Sequence, residues 1–129
     1  MRFMMIVKAN QDFEAGAPLN PELMAAIGQL SQEAVRKGTM VTSGGLLPSA
    51  QGTRIHVSGG KTSVTDGPFA ETKELVGGFA IFDLPSKEEA VEAGRKFMQV
   101  HADILGPSYE GQLEIRPMFD ECPNGGKHT

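Results

Sequence analysis

A chain of 129 residues with 16 acidic and 12 basic side chains carries a formal net charge of −4. At this length a single domain, here expected over residues 1–120, buries roughly two-thirds of the surface its unfolded chain exposes. The charge argues against a nucleic-acid partner, because neutralising phosphates takes clustered Lys and Arg, and the close basic pairs are Arg36-Lys37 and Arg95-Lys96. Aromatic residues are too sparse for a base-stacking platform. A lone cysteine, Cys122, permits no intrachain disulfide and fits a reducing compartment. The apolar run near the N-terminus meets Lys8 too soon for a signal-peptide core or a membrane span, so a cytoplasmic protein without membrane contact is expected.

In chain order, Arg2 to Ala9 reads as a strand that is apolar on both faces. The segment NQDFEAGAPLN is rich in turn formers and reads as a loop. Asn20-Pro21 is an N-cap followed by proline at the first helical position, and Leu23, Ile27, Leu30 and Ala34 then recur at helical spacing up to Gly38. Met40 to Leu47 is a strand in which Ser43-Gly44-Gly45 suggests a bulge or a close backbone approach. Thr53–Ser58 and Thr62–Thr65 form a hairpin around Gly59-Gly60, a dipeptide suited to positive φ. Val76–Leu84 is a strong strand, again apolar on both faces. Ser86 with Glu89 makes a capping box for a second helix, on which Ala90, Val91, Gly94, Phe97, Met98 and His101 share one face. Gln112–Phe119 is a last strand, and residues 121–129 form a tail expected to fray.

The order β-α-β-β-β-β-α-β defines an α+β protein. Its two helices cover one face of an antiparallel sheet, whereas a sheet with one solvated face should alternate apolar and polar residues. The two strands that do not alternate therefore require a second cover. Another copy of the chain is the simplest, giving a homodimer through the sheet that closes a barrel between subunits.

The stretch DGPFAETKELVGGF at Asp66–Phe79 resembles the signature of the YCII-related family, in the branch named after its DGPF tetrapeptide. The resemblance continues through SGGLLPSAQGTRIHVSGGKTSVT (Ser43–Thr65), SKEEAVEAGRKFMQVHAD (Ser86–Asp103) and EIRPMF (Glu114–Phe119). It implies a ferredoxin-like subunit of the dimeric α/β barrel type. Its functional implication is thin: most members of the branch have no assigned activity, and some are encoded beside extracytoplasmic-function sigma factors. Distant relatives use a His-Asp pair in small-molecule chemistry, and the first helix and its approach carry no histidine here.

Candidate site residues gather around the same stretch. Asp66 reads either as a general base or ligand contact, or as the carboxylate that fixes an Asp-Gly-Pro turn. Gly67 and Pro68 shape that turn, and Phe69 reads as a plug or a stacking ring. Glu71 and Lys73 form an acid–base pair or a surface ion pair. Arg54 and His56 alternate on a strand and share a face, lining a pocket with Asp66 or lying on an exposed hairpin. The set gives His56 and Asp66 as candidate catalytic groups, with Arg54, Gly67–Phe69, Glu71 and Lys73 as ligand contacts. His101 lies on the apolar stripe of the second helix and reads as a core residue. Histidine and cysteine spacing suggests no metal, glycine spacing no nucleotide, and no cofactor is expected. Two readings stand: a homodimer with a cleft for a small organic ligand and weak acid–base chemistry, or a non-catalytic regulatory module.

Overall fold

A computed structural model describes residues 1–70 and 74–119. Glu71 and Lys73 of the candidate set, together with Cys122, His128 and the expected tail, lie outside the described residues. The elements are β1 (Arg2–Lys8), α1 (Gln11–Glu14), α2 (Pro21–Arg36), β2 (Met40–Gly45), β3 (Thr53–Ser58), β4 (Lys61–Asp66), β5 (Val76–Asp83), α3 (Lys87–Leu105) and β6 (Leu113–Pro117), with a 3-10 turn at Ser49–Gln51.

Four strands form an antiparallel sheet in the order β2-β5-β1-β6, the ferredoxin-like arrangement, and β3 and β4 form a separate two-stranded ribbon. The two runs that lack alternation are thus the two central strands. Cross-strand partners place Phe3, Met5 and Val7 on one face with Phe82, Ala80 and Gly78 of β5 and with Pro117, Ile115 and Leu113 of β6. This is the helix-covered face: Phe3, Met5, Leu84 and Ala90 are its buried core, with Phe82, Ala93, Leu113 and Ile115 packed around them. The short side chain of Gly94 lets α3 approach β6, since a Cβ there would meet Leu113 at 2.8 Å and Ile115 at 3.0 Å.

The helix termini follow the expected caps. Asn20 accepts from the Leu23 N–H at 3.1 Å, and Ser86 accepts from the Glu89 N–H at 3.2 Å. Leu23, Ile27, Leu30 and Ala34 turn inward on α2. Val91 departs from the expected α3 stripe and is 39% exposed, while Ala93 packs on the core instead.

One further expectation needs correction. The segment after β1 is not all loop: α1 is a one-turn helix whose N-cap, Asn10, accepts from the Phe13 N–H at 2.8 Å. Of the two readings of Ser43-Gly44-Gly45, the close approach is the one found, the irregularity in β2 falling between Met40 and Thr42. A Cβ at Gly44 would lie 3.0 Å from the Phe79 ring. The β3–β4 hairpin does not extend the main sheet, and every residue of both strands is exposed.

Phe3 is 1% exposed and the largest fully buried side chain. Phe3→Ala is expected to cost about 3–5 kcal/mol in urea unfolding, whereas a cost below about 1 kcal/mol would show that the core does not centre on β1.

Candidate functional site

Gly59 and Gly60, with φ of 58° and 77°, close the ribbon so that Ser58 pairs with Lys61, Arg54 with Thr65 and Thr53 with Asp66. Paired residues of an antiparallel ladder share a face, and successive residues alternate. Arg54 and His56 therefore lie on one face with Thr65 and Ser63, while Asp66 lies on the other with Thr53, Ile55, Val57 and Val64. The pleat separates Asp66 from the two cationic candidates with which sequence reasoning grouped it. The Asp66 carboxylate accepts a hydrogen bond from the Thr53 hydroxyl at 3.0 Å, on the surface.

The turn that follows is held by residues from two other segments. Gly67 donates its N–H to the Gly52 carbonyl at 2.9 Å and sits so close to Ser49 that a Cβ would fall 1.8 Å from the Ser49 carbonyl oxygen. The Gly67–Pro68 peptide is cis. Phe69 donates its N–H to Ser49 Oγ at 3.0 Å. Ser49 in turn donates both its N–H, at 2.9 Å, and its hydroxyl to the Glu14 carboxylate at the end of α1. Glu14 thus reaches the Asp66–Phe69 turn through one serine. A carboxylate accepting two such bonds holds that serine in a single rotamer, with its lone pair free for Phe69.

The Arg54 guanidinium lies 3.8 Å from the centroid of the Phe69 ring and has a further partner. At a surface site that stacking is worth about 0.5–1 kcal/mol. Pro68 is exposed and Phe69 half-buried, its ring stacked under Arg54. With its bonds supplied by Glu14, Ser49 and Gly52, the turn is a fully built piece of architecture. Among the described residues it aims no unpartnered buried side-chain donor or acceptor at a ligand.

A different polar group stands on the uncovered face of the four-stranded sheet. Two cross-strand rows run over that face: Thr42, Ile81, Met4 and Arg116, then Gly44, Phe79, Ile6 and Glu114. Each row is apolar at its centre. At the β6 side, Lys8 Nζ lies 3.4 Å from Glu114 Oε1, and Arg116 pairs with the same carboxylate through Oε2. The Lys8 side chain is only 18% exposed, against 68% for Arg116. The hydrogen bond from Arg116, helped by Lys8, holds the Glu114 carboxyl below the ordinary glutamate value against the opposing effect of desolvation. Sequence reasoning missed this trio, because nothing local joins β1 to β6.

His101 is 7% exposed, donates Nδ1–H to the Phe97 carbonyl at 2.9 Å, and stacks on Tyr109 with ring centroids 5.6 Å apart. Burial pushes the Tyr109 phenol up from its usual value. The pair closes the end of α3 onto the connection to β6, the core role expected of that histidine. Among the described residues no three His, Cys, Asp or Glu side chains converge on a metal position, and no helix is long and apolar enough to cross a membrane.

Fold and surface together define a ferredoxin-like α+β protein whose four-stranded sheet packs α3 on one face and, among the described residues, turns its other, open face away from it. The model of the YCII-related domain matches residues 1–105, and the chain belongs to that family. It is similar to the uncharacterized protein R00369 of Rhizobium meliloti (strain 1021), with 32% identity over 96 residues, covering 74% of this chain and 73% of that protein.

The geometry separates two roles around the turn. Ser49→Ala removes the hydroxyl that joins Glu14 to Phe69 and is expected to cost about 1–3 kcal/mol. Asp66→Asn, at an exposed position, should stay within about 0.5 kcal/mol. Equal losses in chemical denaturation would return the turn's anchoring to Asp66.

Proposed function

We propose that two copies of the chain associate through the open faces of their four-stranded sheets and enclose a chamber for a small organic ligand. The observation that carries this reading is the quartet Met4, Ile6, Phe79 and Ile81 at the centre of the open face. Both central strands present apolar side chains there, on the face opposite the one on which α3 packs. Sheet-to-sheet association buries such a quartet twice, and a second copy is always at hand. Membership of the DGPF branch and a cytoplasmic location are part of this reading, the first supported by the tetrapeptide Asp66–Phe69. The scattered basic residues fit neither nucleic acid nor an anionic membrane surface as partner.

Acid–base chemistry by Asp66 and His56 is the enzymatic form of this proposal. The two lie on opposite faces of the ribbon, so one ligand lying on one face of one subunit does not meet both. Arg54 and Phe69 are the better-placed ligand contacts of the set, being already stacked.

A second reading has its own support. Ile55, Val57 and Val64 form an apolar stripe on one face of the ribbon, exposed by 70%, 67% and 67%. Such a stripe suits a docking surface for another protein, and the resemblance to chains encoded beside extracytoplasmic-function sigma factors suggests the kind of partner. In that case the protein is a non-catalytic regulatory module.

Light scattering at micromolar concentration should give about twice the 13.8 kDa chain mass. Phe79→Glu should return the mass to one chain with an unchanged circular dichroism spectrum, because it places charge at the centre of the joined faces. A wild-type monomer would overturn the association. Retention of the dimer by Phe79→Glu, with its loss in Ile55→Asp/Val64→Asp, would move the interface to the ribbon.

A further inference from the structure

We infer that the open sheet face carries an anion clamp made of Arg116 and Lys8, with Glu114 as its internal counter-ion, and that it takes a small monocarboxylate with a flat apolar body. This inference deepens the association proposed above, which would enclose the clamp beside the apolar quartet.

The placement comes from register. Glu114 stands opposite Ile6, and Arg116 opposite Met4, so both open-face rows pass from apolar to charged within one strand spacing. A ligand on the Phe79–Ile6 row therefore meets hydrocarbon under its body and cations at its end. At the far end of that row stands Gly44, where the Phe79 ring already occupies the space a Cβ would need. The ring is thus backed by bare backbone.

The charges set the sign of the ligand. Two cations share one carboxylate, leaving the trio with a net positive charge, Glu114 being ionised. Arg116 is the exposed member, and its planar guanidinium matches a carboxylate through two parallel hydrogen bonds. Lys8, mostly covered, supplies a fixed charge on the other side of Glu114. An incoming carboxylate takes the Arg116 fork while Glu114 stays with Lys8, so no ion is left unpaired. Inorganic phosphate meets the same cations with no body to lie on the quartet, and an amidine of the same shape meets them with the wrong sign.

The test is a benzoate titration of the full chain followed by amide chemical shifts, with benzamidine and inorganic phosphate as controls and the mass recorded on the same samples. The expected result is saturable shifts confined to Ile6, Lys8, Phe79, Glu114 and Arg116, stronger for benzoate than for phosphate and absent for benzamidine. Arg116→Gln with Lys8→Met should weaken benzoate at least tenfold, and Glu114→Gln should tighten it severalfold by removing the internal competitor. A dimer whose β1, β5 and β6 amides do not respond to benzoate, or that prefers benzamidine, overturns the clamp alone. A monomer overturns the association on which the enclosed site rests. Folding of the variants is checked by the His101 and Tyr109 signals, which lie on the far side of the sheet.

Discussion

A sheet whose two central strands are apolar on both faces needs two covers, and one helical layer supplies one. That mismatch between β1 and β5 on one side and α2 and α3 on the other governs the rest of this subunit. The covered face gathers Phe3, Met5, Leu84 and Ala90 into the core and sets how closely α3 can lie, through Gly94. The other face presents Met4, Ile6, Phe79 and Ile81, half-buried and turned away from α3. Each large apolar side chain is worth about 1.5–3 kcal/mol when moved from full exposure to full burial, and finishing the burial of these four half-covered ones is the drive behind the proposed association. The proposed association would supply the second cover.

The polar residues divide along the same line. Around Asp66–Phe69 the bonds run inward, from Gly67 to Gly52 and from Phe69 through Ser49 to Glu14, and they join the ribbon's base to α1. Such a network explains why Gly stands at 67 and Ser at 49. It gives the turn a supporting role in the fold. On the open face the charges instead stand beside hydrocarbon, shared unevenly between two cations and one carboxylate. Cationic excess next to an apolar floor is what a small organic anion requires.

Much of the fold could be read from the chain itself, and the reasons differ by element. β1 and β5 could be read as two-faced strands because neither alternates, and Ser86 with Glu89 marked the start of α3 because a capping box acts within four residues. The ribbon's register was also legible: with Gly59-Gly60 as its turn, Thr53 must face Asp66, which puts Arg54 and His56 on the opposite side. Grouping all three in one pocket overlooked that parity. By contrast, α1 is a single turn too short to show a period, and Glu14 acts on a serine 35 positions away. The Lys8–Glu114–Arg116 group depends on pairing the first strand with the last, a register no local pattern encodes. Local chemistry could be read locally, while whatever rested on pairing distant segments could not.

The central claim is that a second copy covers the open face. The most direct measurement is an isotope-filtered NOE spectrum on a sample mixed from labelled and unlabelled chains, which reports only contacts between copies. Cross-peaks from the Ile6 and Ile81 methyls of one copy to the Phe79 ring of the other are the expected result. Intermolecular peaks confined to Ile55, Val57 and Val64, or none at all, would contradict it.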